Sequence, residues 1–253
     1  MKSSVHLKSV SVIFLIGMSI IISIIQSNKT DYVFNTKAKK VPIYCVDTKD
    51  RKVALSFDVS WGNDNTSKIL NILKKNNTEA TFFLVGGWID SNSDVVREIY
   101  KSGNEIANHS NMHPDMTKIS QSRIIEEIAV TDSKIRKLTG QGTTLFRCPS
   151  GIYNDKVIET VESSGHYCIQ WSIDSIDWKE QGADIEYERV IKKLKPGAII
   201  LFHTSAKYTP QNLPKIIQTI KQEGYTIVKV SDLIYKDNYY VDTSGKQIKK
   251  KEY

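Results

Sequence analysis

The chain has 253 residues, 40% hydrophobic and 25% charged, with a formal net charge of +7. That length and mixture describe one sizeable globular domain and exclude a disordered chain. The positive balance suits work near anionic polymers or phospholipid. No basic helix with interleaved aromatics and no CxxC pair is present, so nucleic acid is not an expected partner.

Lys2 and Lys8 precede residues 9–27, which are apolar except for small hydroxyl residues, Gly17 and Gln26. Residues 1–27 therefore read as a membrane helix, at the short end of the roughly 17–25 residues that span a bilayer. The positive charge in front predicts a cytoplasmic N-terminus and an extracytoplasmic domain. Ile24-Ile25-Gln26-Ser27-Asn28 lacks the small-residue pattern of a signal-peptide cleavage site. A single-pass anchor in the cell membrane is the favoured reading, and secretion after cleavage is the alternative. Residues 28–50 are polar and Lys-rich and read as a linker.

Residues 51–235 alternate strand and helix. Strands are predicted at 52–57, 79–85, 104–108, 143–146, 166–171, 198–202 and 225–230. Thr66 suits the N-cap of a helix carrying Ile69, Leu70, Ile72 and Leu73. A helix at 94–102 has Gly103 where a C′ glycine belongs. Ser120 opens a longer helix ending near Gly140, Asn154 one ending at Gly165, and Asp184 one ending near Lys195. A helix at 213–223 is closed by Gly224, and 231–234 is a short helical turn. Such alternation with short connections argues parallel pairing, in an α/β barrel or an open α/β sheet. Residues 236–253, through Lys249-Lys250-Lys251, lack periodicity and read as a basic polar tail. The three cysteines, Cys45, Cys148 and Cys168, are no disulfide framework; one bridge and buried free thiols both remain open.

Two of the five histidines stand four residues apart, in His109-Ser110-Asn111-Met112-His113-Pro114. One helical turn between them would point both imidazoles the same way, and imidazole is the commonest protein ligand for zinc-like metals. Other polar residues also directly follow strands: Asp58 the first, Arg147 the fourth, Asp174 and Asp177 the fifth, His203 the sixth. In a parallel barrel those strand ends share one face. Chemically the set is coherent. A metal held by two imidazoles can acidify a water and polarise a carbonyl. A carboxylate takes the water's proton, and a histidine protonates an amine leaving group. An arginine holds the carboxylate ionised, and a second carboxylate raises the histidine's pKa. That is a set for hydrolysing an amide or ester.

These segments resemble, in order, the motifs of the polysaccharide deacetylases of carbohydrate esterase family 4, the NodB-homology family, over about residues 50–235. Phe57-Asp58-Val59-Ser60-Trp61-Gly62 and Gln170-Trp171-Ser172-Ile173-Asp174-Ser175-Ile176-Asp177-Trp178 are most similar to the sporulation-associated PdaB type. The resemblance implies a distorted (β/α) barrel of about seven parallel strands. It implies N-deacetylation of an acetylated glycan such as cell-wall or spore peptidoglycan, by a monomer. It implies Asp58 as base, Arg147 as the residue orienting it, His203 as general acid and Asp174 as the carboxylate tuning that acid. It implies His109 and His113 as ligands of a divalent metal, zinc by default with cobalt, nickel or manganese fitting comparable ligands. It places Ser150 at the backbone oxyanion donor, Leu201 at the wall for the acetyl methyl and Trp178 with the substrate-binding residues. One position departs. Where the family usually has a second Asp as third metal ligand, this chain has Val59. Asp58 moving in, Asp64 substituting, or a weak or absent metal are the three expected consequences. The last would leave a glycan-binding sporulation protein with little or no turnover.

Overall fold

The computed structural model describes residues 39–61 and 65–251. The run read as a membrane helix, the first part of the linker and Asp64 lie outside the described residues. Among those described, no helix is long and apolar enough to cross a membrane.

The strands are β1 (Cys45–Val46), β2 (Lys52–Val59), β3 (Thr81–Leu84), β4 (Glu105–Asn108), β5 (Leu145–Phe146), β6 (Tyr167–Cys168), β7 (Ile173–Asp174), β8 (Ile199–His203), β9 (Thr226–Val228), β10 (Tyr239–Val241) and β11 (Lys246–Lys249). The helices are α1 (Thr66–Lys75), α2 (Gly86–Ser91), α3 (Ser93–Lys101), α4 (Gln121–Thr139), α5 (Asp155–Ser163), α6 (Ala183–Ile191), α7 (Thr209–Gln222) and α8 (Val230–Leu233). Seven strands form one parallel path, β6-β5-β4-β3-β2-β8-β7, and β9 pairs with the start of β2. This half-barrel of parallel, helix-covered strands fits the distorted (β/α) barrel of about seven strands expected. Its register levels the carboxyl ends: Val59 pairs with Leu84, Leu84 with Asn108, Asn108 with Phe146, and Asp58 with His203.

Strand β2 shows how the barrel assigns its two faces. Side chains alternate across a strand. Val53, Leu55, Phe57 and Val59 pack outward, with Ile69, Leu73, Phe82 and Phe202 in the layer beneath the helices. Ala54 packs with Phe83, Ala107 and Ile199 in the other core. The same inner face continues through Ser56 to Asp58, so it runs from apolar to ionisable toward the mouth. The caps at Ser120 and Asn154 form as predicted, accepting the backbone N–H of Arg123 at 3.2 Å and of Val157 at 3.0 Å.

Four expectations are corrected. The tail read at 236–253 is folded over 239–249: β10 and β11 make an antiparallel hairpin, and β1 joins β11 in parallel. Three- and four-residue strands are too short to show a period. The Asp242 carboxylate shapes their turn by accepting from the N–H groups of Ser244 and Lys246. Gly245 completes it at φ 82°, where a Cβ would come within 2.3 Å of the Tyr44 ring. The linker read at 28–50 is likewise structured from Ile43. The Ile43 N–H donates to the Cys168 carbonyl at 2.9 Å and its carbonyl accepts from Gln170 at 2.7 Å, alongside the free edge of β6. The strand predicted at 166–171 shortens to β6, and the chain then crosses to form β7, an unpredicted strand that pairs with β8. Finally, α6 is preceded by Gly182 at the cap position, not Asp184, which lies in its first turn. The three cysteines are free and buried, with the sulfurs of Cys148 and Cys168 3.6 Å apart.

Candidate active site

Asp58 is held where β2 reaches the mouth. Arg147 directly follows β5 and is fully buried. Its Nη1 donates to Asp58 Oδ1 at 2.7 Å, and its Nη2 donates to Ser56 Oγ at 2.9 Å and to the Gln170 carbonyl at 3.3 Å. The guanidinium lies 3.9 Å from the centre of the Phe83 ring. Burial alone would raise the Asp58 pKa, but Arg147 first, then His109 and His203, outweigh it and hold the carboxyl below its ordinary value. Asp58 is ionised at neutral pH.

The histidine segment is a loop, not a helical turn. Ser110 and His113 both have left-handed backbone, φ 66° and 56°. The Asn108 side-chain carbonyl accepts from the Ser110 N–H, and Ser110 Oγ accepts from the His113 N–H, both at 2.9 Å. Glu127 of α4 accepts from the N–H groups of Asn111 and Met112 at 2.8 and 2.7 Å, and its other oxygen takes Arg123. Gly86 lets α2 press against this loop. Its N–H donates to the Ser110 carbonyl, and a Cβ there would lie 2.5 Å from Asn111 Oδ1. The loop still brings the two rings together, with centroids 4.9 Å apart. Trp61, half-exposed on the rim, meets His113 edge-on at 6.2 Å.

The Arg147 carbonyl fixes the His109 tautomer. A carbonyl only accepts, so His109 Nδ1 carries the proton it donates at 2.9 Å. Burial foremost pulls His109 down to about 4, although Asp58 opposes it. At neutral pH the ring is uncharged and its Nε2 is a lone pair, facing Asp58 Oδ2 at 3.4 Å. Two acceptors confront each other there. His113 is also lowered, again chiefly by burial.

Across the mouth, His203 ends β8. The Asp177 carboxylate accepts from His203 Nδ1 at 2.8 Å, from the His203 N–H at 2.7 Å and from Thr209 Oγ at 3.0 Å. Burial would lower His203, but Asp177 outweighs it, with smaller help from Asp58 and Asp174, and the net shift is upward. This corrects the role given to Asp174. Its Oδ1 accepts from the Ile176 N–H two residues on, at 2.8 Å. Ile176 then turns left-handed, φ 54°, and swings the 3-10 turn Asp177–Lys179 so that Asp177 is buried against His203. Both aspartates follow a strand, and spacing alone did not separate the one that braces its own turn from the one that reaches the imidazole.

The remaining expected site residues are dispersed over the rim and the core. Ser150 is exposed in the turn Pro149–Gly151, with φ 55°. Leu201 is buried in β8, paired with Ser56 and Asp174, and Trp178 is 58% exposed. Ser56 and Glu127, which brace Arg147 and the histidine loop, carried no signal in the sequence; Glu127 reads there as one more charge on a long helix.

Among the described residues, no metal centre is completed. Val59 is fully buried and packs outward beneath the helices. Asp58 gives Oδ1 to Arg147, and its Oδ2 faces His109 Nε2 at 3.4 Å. Among the described residues, no three His, Cys, Asp or Glu side chains are grouped to hold a metal ion. A catalytic zinc centre ordinarily has three protein ligands.

Fold and site thus define a parallel-barrel hydrolase domain with paired acid and base groups at the carboxyl ends of its strands. Residues 46–169 match the polysaccharide deacetylase family. The peptidoglycan-N-acetylmuramic acid deacetylase PdaA of Bacillus subtilis is 31% identical, over 76% of this chain and 74% of its own. The solved structure of PdaA, a family 4 carbohydrate esterase, superposes with a TM-score of 0.72 at 30% identity, covering 76% and 84% of the two chains. That of BA3943, a family 4 pseudoenzyme from Bacillus anthracis, does so with a TM-score of 0.73 at 35% identity, covering 76% and 68%. The chain belongs to the polysaccharide deacetylase family.

Proposed function

We propose that this chain hydrolyses N-acetyl groups on a cell-wall or spore polysaccharide of the peptidoglycan kind. One observation carries the reading. A carboxylate kept ionised by Arg147 and an imidazole whose protonated form Asp177 favours stand on one mouth, at the paired positions Asp58 and His203 of neighbouring strands. Amide hydrolysis needs both forms together. Asp58 takes a proton from the water whose oxygen bonds to the acetyl carbon. His203 gives a proton to the amine nitrogen as the C–N bond breaks, leaving acetate and a free amino group on the sugar. In this reading Leu201 walls the acetyl methyl, the turn at Ser150 offers a backbone N–H to the oxyanion, and Trp178 lies against the sugar. The substrate class is supported by PdaA, which its name places on N-acetylmuramic acid in peptidoglycan. Anchoring by residues 1–27 with the domain outside the membrane, and the sporulation-associated type, belong to the same proposal. They are supported by Lys2 and Lys8 before an apolar run and by the residues 57–62.

Val59 favours a second reading, glycan binding with little or no turnover. The Bacillus anthracis pseudoenzyme is a precedent for this fold without activity, and a mutant of it with restored enzymatic activity has been solved, 35% identical to this chain with a TM-score of 0.73, covering 76% and 71% of the two chains. Acetate release from N-acetylglucosamine oligomers and peptidoglycan, with zinc, cobalt, nickel or manganese, separates the two. Release by the wild-type protein supports the enzyme. Release only by Val59→Asp supports the attenuated protein. No release by either, with no oligomer binding by the wild type, sinks both.

A further inference from the structure

Behind His203 lies a second buried carboxyl group that the acid–base reading leaves unused. Glu186 sits in the first turn of α6, 3% exposed, and its Oε1 is enclosed without a hydrogen-bond partner. Its polar surroundings come from two other elements: Asp177 from the turn Asp177–Lys179, and Thr209 and Asn212 from α7. No cation among the described residues offsets it; Arg189, on its own helix, turns to Gln181 at 3.5 Å. Burial first, then the negative charge of Asp177, raise Glu186 to about 7, against the pull of Thr209 and Asn212.

Proton counting at Thr209 links this group to the general acid. A threonine hydroxyl has one proton, and Thr209 gives it to Asp177 Oδ2 at 3.0 Å. Its lone pairs then accept only from a group that carries a proton. A protonated Glu186 is such a group; an ionised one competes with Asp177 for the same hydroxyl.

We propose that Glu186 is a positioning residue for the general acid, acting through Thr209 and Asp177: protonated, it leaves the Thr209 hydroxyl on Asp177 and keeps that carboxylate aligned on His203, and ionised it adds a second negative charge behind the pair. The proposal rests on His203 serving as the acid. It makes Glu186 and His203 a coupled pair, so that losing the Glu186 proton strengthens the hold of His203 on its own.

The test is an NMR titration of the His203 ring in the full chain, in wild type, Glu186→Gln, Asp177→Asn and the double variant. Glutamine keeps a neutral donor and cannot ionise, so the His203 midpoint falls by about a few tenths of a pH unit, the size expected for removing one charge that is not in contact with the ring. With Asp177→Asn already present, adding Glu186→Gln moves the midpoint much less. Coincident His203 curves in wild type and Glu186→Gln, both folded, overturn the proposal. Carbon-13 titration of Glu186 in the wild type needs no variant: a midpoint in the neutral range supports the proposal, and an ordinary carboxylate midpoint overturns it. Acetate release is measured separately, so that a failure of the deacetylase reading is visible as lost turnover while the titrations still decide Glu186.

Discussion

The two sides of the mouth are built to different degrees of completion. On the acid side, the His203 N–H, its Nδ1 and the Thr209 hydroxyl all converge on the Asp177 carboxylate. On the base side, Asp58 and Arg147 are as well paired, but His109 turns a lone pair toward Asp58 Oδ2 at 3.4 Å, and the neighbouring residue is an apolar Val59. The proton-transfer half of amide hydrolysis and the metal-holding half are therefore separable in this chain. Among the described residues, one has its carboxylate and imidazole in place and the other lacks a third metal-binding side chain.

Breaking the base side at its centre has the largest expected effect. Arg147→Met leaves the buried Asp58 without its cation and costs about 3–5 kcal/mol of unfolding free energy, the usual penalty for removing one partner of a buried pair. Denaturant unfolding at neutral pH measures it, and a loss under 1 kcal/mol would show that Asp58 had found other support. Acidification attacks the same side next. His109 is held below its ordinary value, so the unfolded chain takes up a proton before the native one does. Stability is present above the unfolded value near 6.5 and is lost as pH falls toward about 4, by at most about 3 kcal/mol in metal-free protein. Asp58, also depressed, adds to the loss lower still, as pH falls through its folded value. His203 runs the other way: raised in the native state, it contributes fully below its unfolded value and is lost as pH rises through its folded one. Unfolding midpoints from pH 4 to 9 resolve the opposing slopes, and a flat acid limb would contradict the burial of His109.

Val59→Asp sharpens the comparison with a smaller effect. It places a carboxyl in the apolar layer under the helices and, without metal, lowers stability by on the order of 2 kcal/mol. Added zinc recovers that loss if the carboxyl turns from this layer toward the histidines, since a ligand bound to the native state stabilises it. Thermal melts with and without zinc test this; equal zinc responses in wild type and variant would mean that position 59 does not face the metal.

Much of this was legible in the residues. Long buried strands such as β2 and β8 announce themselves as apolar runs, and caps such as Ser120 and Asn154 mark helix starts by local chemistry. Asp58, Arg147 and His203 stand out because each lies at the carboxyl end of a strand, and parallel register alone brings strand ends together. What was not legible depends on backbone torsion over a few residues. The left-handed Ile176 decides which aspartate reaches His203, and left-handed Ser110 and His113 replace the helical turn between the histidines. Strands as short as β7 and β10 carry no period to read. Glu127 and Thr209 act from helices far along the chain, where only tertiary packing gives them a role.

The finest comparison is between Asp174 and Asp177 themselves. Asp177 contacts His203 through two hydrogen bonds, so Asp177→Asn removes both a charge and the acceptor for the imidazolium and should lower the His203 midpoint by about 1 pH unit or more. Asp174 acts only through space, with its carboxylate turned to the Ile176 N–H. Asp174→Asn keeps the side-chain carbonyl that accepts this hydrogen bond, so the turn presenting Asp177 survives and the midpoint should move by only a few tenths of a pH unit. Raising the salt concentration should shrink the Asp174 effect further and leave that of Asp177 nearly unchanged, because screening acts on the partly exposed charge and not on the buried contact. Equal shifts for the two variants, measured on the His203 ring at low and high salt, would return Asp174 to the role that the resemblance implied.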